Sequence, residues 1–351
     1  MKKRIVALLL SGLTLALLVA CGNNNQPAAS DSTASSLETA GSEEVYELSL
    51  GHIQNPGHDL YIAIENFAKA MEEQSNGKVK ITVYPSSQLG TEREMIEQCI
   101  MGTLDITHSD PAGWSTGLSL PEVGVFGLPF LYDGLESQKA LIEEVALEEL
   151  QNRMIPKGVH PFLIYSNGIR HTICKTKPIN TMEDLSGLKM RCPENPLFVD
   201  TWNLLKCQSV TMPWGEVYTG LSQGVADAAE ADAVGIVNTN LQEVGKYYSR
   251  TAHMGGLFII SMNVDKWNSL PADIQQLFVK VATESSEMQI KNRKTSDDAA
   301  EKAIADAGVQ INDVSAEERQ KMREAVQPMY DEYIEQYNME DLVKRMMEVV
   351  G

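Results

Sequence analysis

The chain is poor in aromatic residues, poor in positive charge and lacking in the short motifs that announce metal or redox chemistry. Aromatics are 6% of 351 residues, which argues against a base-stacking surface or an aromatic carbohydrate platform. Lys and Arg number 29 against 48 Asp and Glu, a net charge of −19 that would repel a nucleic-acid backbone or an anionic lipid surface. A small anion is not excluded, because it responds to local charge. The five cysteines, at 21, 99, 174, 192 and 207, contain no C-x-x-C, so a zinc ribbon or thioredoxin-type site has no support. The six histidines form no H-E-x-x-H and no i,i+4 pair, so metal binding lacks its ligand spacing. Asp227, Glu230 and Asp232 cluster without an EF-hand-like loop, and no glycine-rich phosphate loop occurs. No cofactor is therefore expected.

Long apolar runs are also missing, with one exception at the start. Lys2, Lys3 and Arg4 precede an apolar stretch, Ile5 to Ala20, which closes as Leu18-Val19-Ala20-Cys21. That is the pattern of a secretory signal, shorter than the roughly 20 apolar residues of a membrane span. The Leu-Val-Ala-Cys ending resembles a bacterial lipobox, which implies a signal over 1–20, lipidation at Cys21 and a soluble, membrane-tethered mature body. Removing residues 1–20 leaves 26 basic against 48 acidic side chains, a net charge of −22. Residues 21–45 are mostly Asn, Gln, Pro, Ala, Ser, Thr and Gly, a composition that cannot offset its ordering entropy and reads as a flexible tether. The four remaining cysteines permit three disulfide pairings.

The body reads as alternating strands and helices. Tyr46 to His52 alternates as a strand, and His58 to Gln74 carries a helical stripe of Leu60, Ile64, Phe67, Ala68 and Met71. Lys78 to Tyr84 alternates again, and Thr91-Glu92-Arg93-Glu94 is a capping box opening a helix that stops at Gly102. Leu104 to His108 is a third strand, Pro161 to Tyr165 an apolar one, and the pattern recurs with strands at Leu188 to Cys192 and Val225 to Ala229. A second capping box begins at Thr181, and a short helix spans Trp214 to Gln223. Pro271 opens a helix of roughly 35 residues, about 50 Å at 1.5 Å per residue. The expectation is a parallel α/β architecture in two lobes with a long helix between them, and a ligand crevice at their junction.

Three constellations could carry chemistry. Gly113-Trp114-Ser115-Thr116-Gly117 matches the G-x-S-x-G nucleophile elbow, which requires Ser115 on a strand-to-helix turn with a histidine and an acid downstream. Arg170 follows the apolar strand, and Arg191 stands inside Leu188 to Cys192. Each arginine is either half of a structural ion pair or a fork aimed at a ligand carboxylate.

In chain order, Tyr84-Pro85-Ser86-Ser87-Gln88-Leu89-Gly90, Gly127-Leu128-Pro129-Phe130, Asn167-Gly168-Ile169-Arg170, Asp184 to Arg191, Met212 to Tyr218 and Gly224-Val225-Ala226-Asp227 resemble the solute-binding subunit of a TRAP (tripartite ATP-independent periplasmic) transporter of the DctP family. The resemblance spans about Tyr46 to Tyr330 and implies a two-lobed periplasmic-binding-protein-like fold with a long interlobe helix. It implies lobe I over 46–167 plus about 257–296, and lobe II over 168–256 plus about 297–351. It implies a non-enzymatic, monomeric receptor that closes on an organic acid and delivers it to membrane subunits. The carboxylate clamp falls on Arg191, a second basic contact on Arg170, an aromatic wall on Trp214 and polar contacts on Glu92 and Asp110. Members often carry Gln-Glu-Asn-Pro with a ligand-touching Asn where this chain has Ala229-Glu230-Ala231-Asp232, so with Ala231 that contact is either missing or replaced by Glu230 or Asp232. His52 and Asn55 could add hydrogen bonds. Two carboxylates at the far end favour a hydroxylated sugar acid such as a uronate over a C4-dicarboxylate. The reading from another class is a secreted hydrolase using Ser115.

Overall fold

In a computed structural model, residues 44–351 are described; the signal, Cys21 and nearly all of the tether lie outside them. Among the described residues nine strands form one sheet: β1 (Tyr46–Gly51), β2 (Val79–Tyr84), β3 (Ile106–Ser109), β4 (Val159–Cys174), β5 (Lys189–Cys192), β6 (Gln208–Thr211), β7 (Ala228–Ala231), β8 (Tyr247–Asn263) and β9 (Gln310–Asp313). Their order is β2-β1-β3-β8-β4-β7-β5-β6, with β9 beside β8.

The sheet is mixed rather than parallel throughout. β1, β2 and β3 pair in parallel, as do β5 with β6 and β7, but β4 and β8 run antiparallel to each other over most of their length. β3 pairs with the end of β8, at Ile259 to Met262, whereas β7 pairs with the end of β4, at His171 to Cys174. The two long strands therefore pass through both halves of the sheet. The sequence shows only Pro161 to Tyr165 of β4 and no sign of β8, because both are buried on both faces and lose the alternation that marks a half-exposed strand. β7 begins three residues later than the apolar pattern suggests.

The helices follow the sequence closely. α1 (Asp59–Gln74) buries the expected stripe, and α2 (Glu92–Met101) starts with Thr91 capping Glu94 and ends at Gly102 in the left-handed conformation. α3 (Pro111–Leu118) is capped by Asp110, whose carboxylate accepts from the Gly113 N–H at 2.7 Å. The helix Ala272–Asp306 has 35 residues. Its first turns join a core around Phe67, Phe162 and Trp267, and its last turns reach a second core through Ala300 and Ile304.

Cys99, Cys174, Cys192 and Cys207 are buried free thiols, so none of the three pairings forms. Among the described residues no helix is long and apolar enough to cross a membrane, and no cluster of His, Cys, Asp and Glu could hold a metal ion.

Candidate functional site

β4 loses register with β8 between Ser166 and Ile169 and again between Arg170 and Thr172. Such irregularities re-aim side chains, and here they bring Asn167 and Arg170 to a cavity of about 480 Å³. Other lining residues stand at the carboxyl ends of strands and the starts of helices, among them Glu92 opening α2, Asp110 after β3, Arg191 on β5, Trp214 after β6 and Asp232 after β7. A crevice at strand ends is where open α/β sheets place ligands.

Arg191 is buried, and its Nε and Nη2 both donate to the Met212 carbonyl oxygen, at 3.0 and 2.6 Å. Its Nη1 is enclosed without a hydrogen-bond partner, 4.0 Å from Glu230 Oε1. The guanidinium carbon stands 5.4 Å from the Trp214 ring centre, a cation–π arrangement that fixes the plane of the fork. Burial pulls this guanidinium down to about 10, still charged at neutral pH.

Arg170 is ion-paired and also lines the cavity. Its Nη2 donates to Glu230 Oε1 at 2.8 Å and its Nε to Glu230 Oε2. Glu230 is fully buried and also meets His253 Nε2 at 3.4 Å. Burial alone would raise the Glu230 carboxyl, but the Arg170 charge outweighs it and holds it at about 2. Glu230 thus sits outside the lining as the counter-ion of Arg170, not as a ligand contact replacing the Asn at Ala231. Arg170 combines both readings of a buried arginine, being paired and lining the cavity.

Glu92 and Asp110 face the same cavity. Glu92 Oε1 is enclosed and unpartnered. Burial and the nearby Asp110 charge push the Glu92 carboxyl up to about 8, and burial also raises Asp110. Two carboxyl groups crowded into one site oppose each other's ionisation, which favours a proton on Glu92. It can then donate a hydrogen bond as well as accept one, which the sequence did not indicate.

Asp232 lines the cavity and caps the helix Ala233–Asn238 through the Gly235 N–H at 3.0 Å. His52 and Asn55 are not part of the lining. His52 is fully buried, its Nδ1 accepting from the Gln54 N–H at 3.1 Å and its ring 5.9 Å from that of His108. Asn55 instead accepts at its carbonyl oxygen from the His58 N–H, turning the chain into α1.

Asn167 was missed as an individual lining residue. It is 4% exposed, lines the cavity and leaves Oδ1 unpartnered. Its signal was the Asn-Gly pair beside Arg170, which marks a break in a strand. Ser115 lies within α3, not on the Asp110–Pro111 turn that leads into it, so the G-x-S-x-G match is not a nucleophile elbow.

A two-lobed sheet with a buried arginine fork in its crevice defines a small-molecule receptor of the periplasmic binding class. The chain matches the bacterial extracellular solute-binding proteins of family 7, DctP, over residues 50–336, and it belongs to that family, the extracytoplasmic solute-binding subunits of TRAP transporters. It is 29% identical over 243 residues to a solute-binding protein of Roseobacter denitrificans, covering 69% of this chain and 74% of the relative. It is 26% identical over 296 residues to the C4-dicarboxylate-binding periplasmic protein DctP of Rhodobacter capsulatus, covering 84% and 88%. Among solved structures, a TRAP solute-binding protein of a Bradyrhizobium species with α/β-D-galacturonate matches with TM-score 0.81 and 27% identity, over 86% of this chain and 99% of that one. One of Roseobacter denitrificans with bound β-D-glucuronate matches with TM-score 0.82 and 25% identity over the same shares. These relatives are binding proteins, not enzymes.

Proposed function

We propose that this chain captures a hydroxylated organic acid anion of the uronate class and hands it to the membrane subunits of a TRAP transporter. The observation that carries the reading is the free, buried Nη1 of Arg191 in a cavity that also holds Glu92 and Asp110. The fork takes the ligand carboxylate, with a charge-assisted bond worth about 1.5–3 kcal/mol. Trp214 forms the wall beside it, Asn167 and Arg170 complete the basic end, and Asp232 borders the crevice. Glu92 and Asp110 hydrogen-bond ring hydroxyls, Glu92 donating or accepting as the hydroxyl requires. A second carboxylate on the ligand would lie against the Asp110 carboxyl, which disfavours a C4-dicarboxylate.

The lobes divide at 46–167 plus about 257–296 and 168–256 plus about 297–351, and they close around the ligand as a monomer. Cleavage after Ala20, lipidation at Cys21 and a tether over 21–45 hold the receptor at the membrane. The test is isothermal titration with D-galacturonate, D-glucuronate and succinate on the wild-type chain and on Arg191→Ala. Uronate binding that Arg191→Ala abolishes supports the reading; tighter binding of succinate than of either uronate contradicts it.

A further inference from the structure

Arg293 lies in the middle of the helix Ala272–Asp306, fully buried and outside the cavity lining. Its Nη1 donates to both carboxylate oxygens of Asp59 at 3.2 Å, and its Nη2 donates to Asp232 Oδ2 and Asp297 Oδ1 at 2.7 Å each. Asp59 is the first residue of α1, which follows β1 in one half of the sheet. Asp232 caps the helix that follows β7 in the other half. His58 caps α1 through the Leu60 N–H, and its Nε2 stands 4.0 Å from Asp232 Oδ2. His58 and Asp232 both line the ligand cavity.

The knot is built into the backbone. Gly168 adopts φ +67°, and a Cβ there would lie 2.6 Å from Arg293 Nη2, so only glycine lets the β4 bulge approach the guanidinium. Gln289, one turn earlier on the same helix, donates to Asp59 Oδ2 at 3.1 Å and to the Ser166 carbonyl oxygen at 2.8 Å. The bulge that aims Asn167 and Arg170 is thereby tied to Arg293.

The geometry points to Arg293 as a positioning residue that holds the two halves of the sheet at the angle of the ligand-bound receptor. Asp59 and Asp232 belong to opposite halves and share one cation. Burial alone would raise both carboxyls, but the Arg293 charge holds both below their ordinary range. With Arg293 between them the two anions draw the halves together; without it they repel each other. The ligand feels this through Asp232 and His58, whose positions the knot fixes. An ion knot that only stabilises the fold would instead leave ligand release unchanged.

The inference rests on the uronate reading for its ligand, and the test separates the two. Asp59→Asn and Arg293→Gln are made in the full chain with a Cys21→Ser background. Spin labels are placed at Met101→Cys on α2 and Val225→Cys beyond the helix Val217–Gln223, both exposed positions in opposite halves. Pulsed EPR reads the label separation with and without D-galacturonate, and stopped-flow reads ligand release from the unlabelled proteins. Asp59→Asn is expected to raise the release rate at least ten-fold, to change the association rate less than three-fold and to broaden the bound distance distribution toward the free one. A lowered melting temperature with wild-type release rate and distances overturns the inference. If Arg293→Gln does not fold, Asp59→Asn decides alone. If the wild type binds no uronate, the functional reading fails, and the ligand-free distances still test the knot: distributions identical in wild type and Asp59→Asn overturn it.

Discussion

Arg170 and Glu230 hold each other in a buried bidentate pair, Nη2 to Oε1 at 2.8 Å, and this leaves the neighbouring Arg191 with Nη1 unclaimed. Glu230 stands 4.0 Å from that Nη1, near enough to orient it and too far to hydrogen-bond it. One acid therefore restrains two arginines while satisfying only one.

Replacing that acid should be costly. Glu230→Gln removes the negative charge from a pocket that still contains Arg170, and losing one partner of a buried pair costs about 3–5 kcal/mol. The acid dependence gives a second check. The Glu230 carboxyl titrates near 2 in the fold against an ordinary 4.5, so its stabilisation is present above 4.5 and lost as pH falls from 4.5 toward 2. Denaturant titrations from pH 7 to pH 3 should show the gap between wild type and variant narrowing across that window.

Glu92 should behave in the opposite sense. Between 4.5 and about 8 the folded chain keeps a proton that the unfolded chain has released, so this residue makes stability fall as pH rises through that range. Glu92→Gln removes the dependence. The ligand-free variant should melt above the wild type at pH 8.5 and much closer to it at pH 5, while binding uronate more weakly. Calorimetric melting at the two pH values checks this.

Gly168→Ala should destabilise the fold by at least 1–2 kcal/mol, the cost of a left-handed conformation in a residue with a Cβ. The added Cβ also meets Arg293 within 3 Å. Chemical denaturation measures the change, and the midpoint should shift with little change in slope.

The elements bounded by local signals were legible in the sequence. The Thr91 capping box, the Gly102 stop, the stripe of α1 and the 35-residue helix need only neighbouring residues to define them. β8 was invisible because a strand buried on both faces has no period. The site was legible in part for the same reason. Arg191, Trp214, Glu92 and Asp110 stand beside recognisable breaks, and they do line the cavity. That Glu230 would serve Arg170 depends on β7 pairing with β4 sixty residues away, which no local pattern encodes. His52 looked available at the end of a short alternating strand, but β3 and Tyr61 enclose it. Arg293 reads locally as one charge in a charged helix; only the fold gathers three carboxylates around it.

The central claim is that the Arg191 fork, not positive charge in general, selects the ligand. Isothermal titration of D-galacturonate into wild type and Arg191→Lys tests it most directly, because lysine keeps the charge and loses the planar fork. The expected result is measurable binding by the wild type and a loss of about 100-fold or more in the variant, on the order of one to two charge-assisted hydrogen bonds, with its melting temperature within a few degrees. Equal affinity in the two proteins would contradict the account.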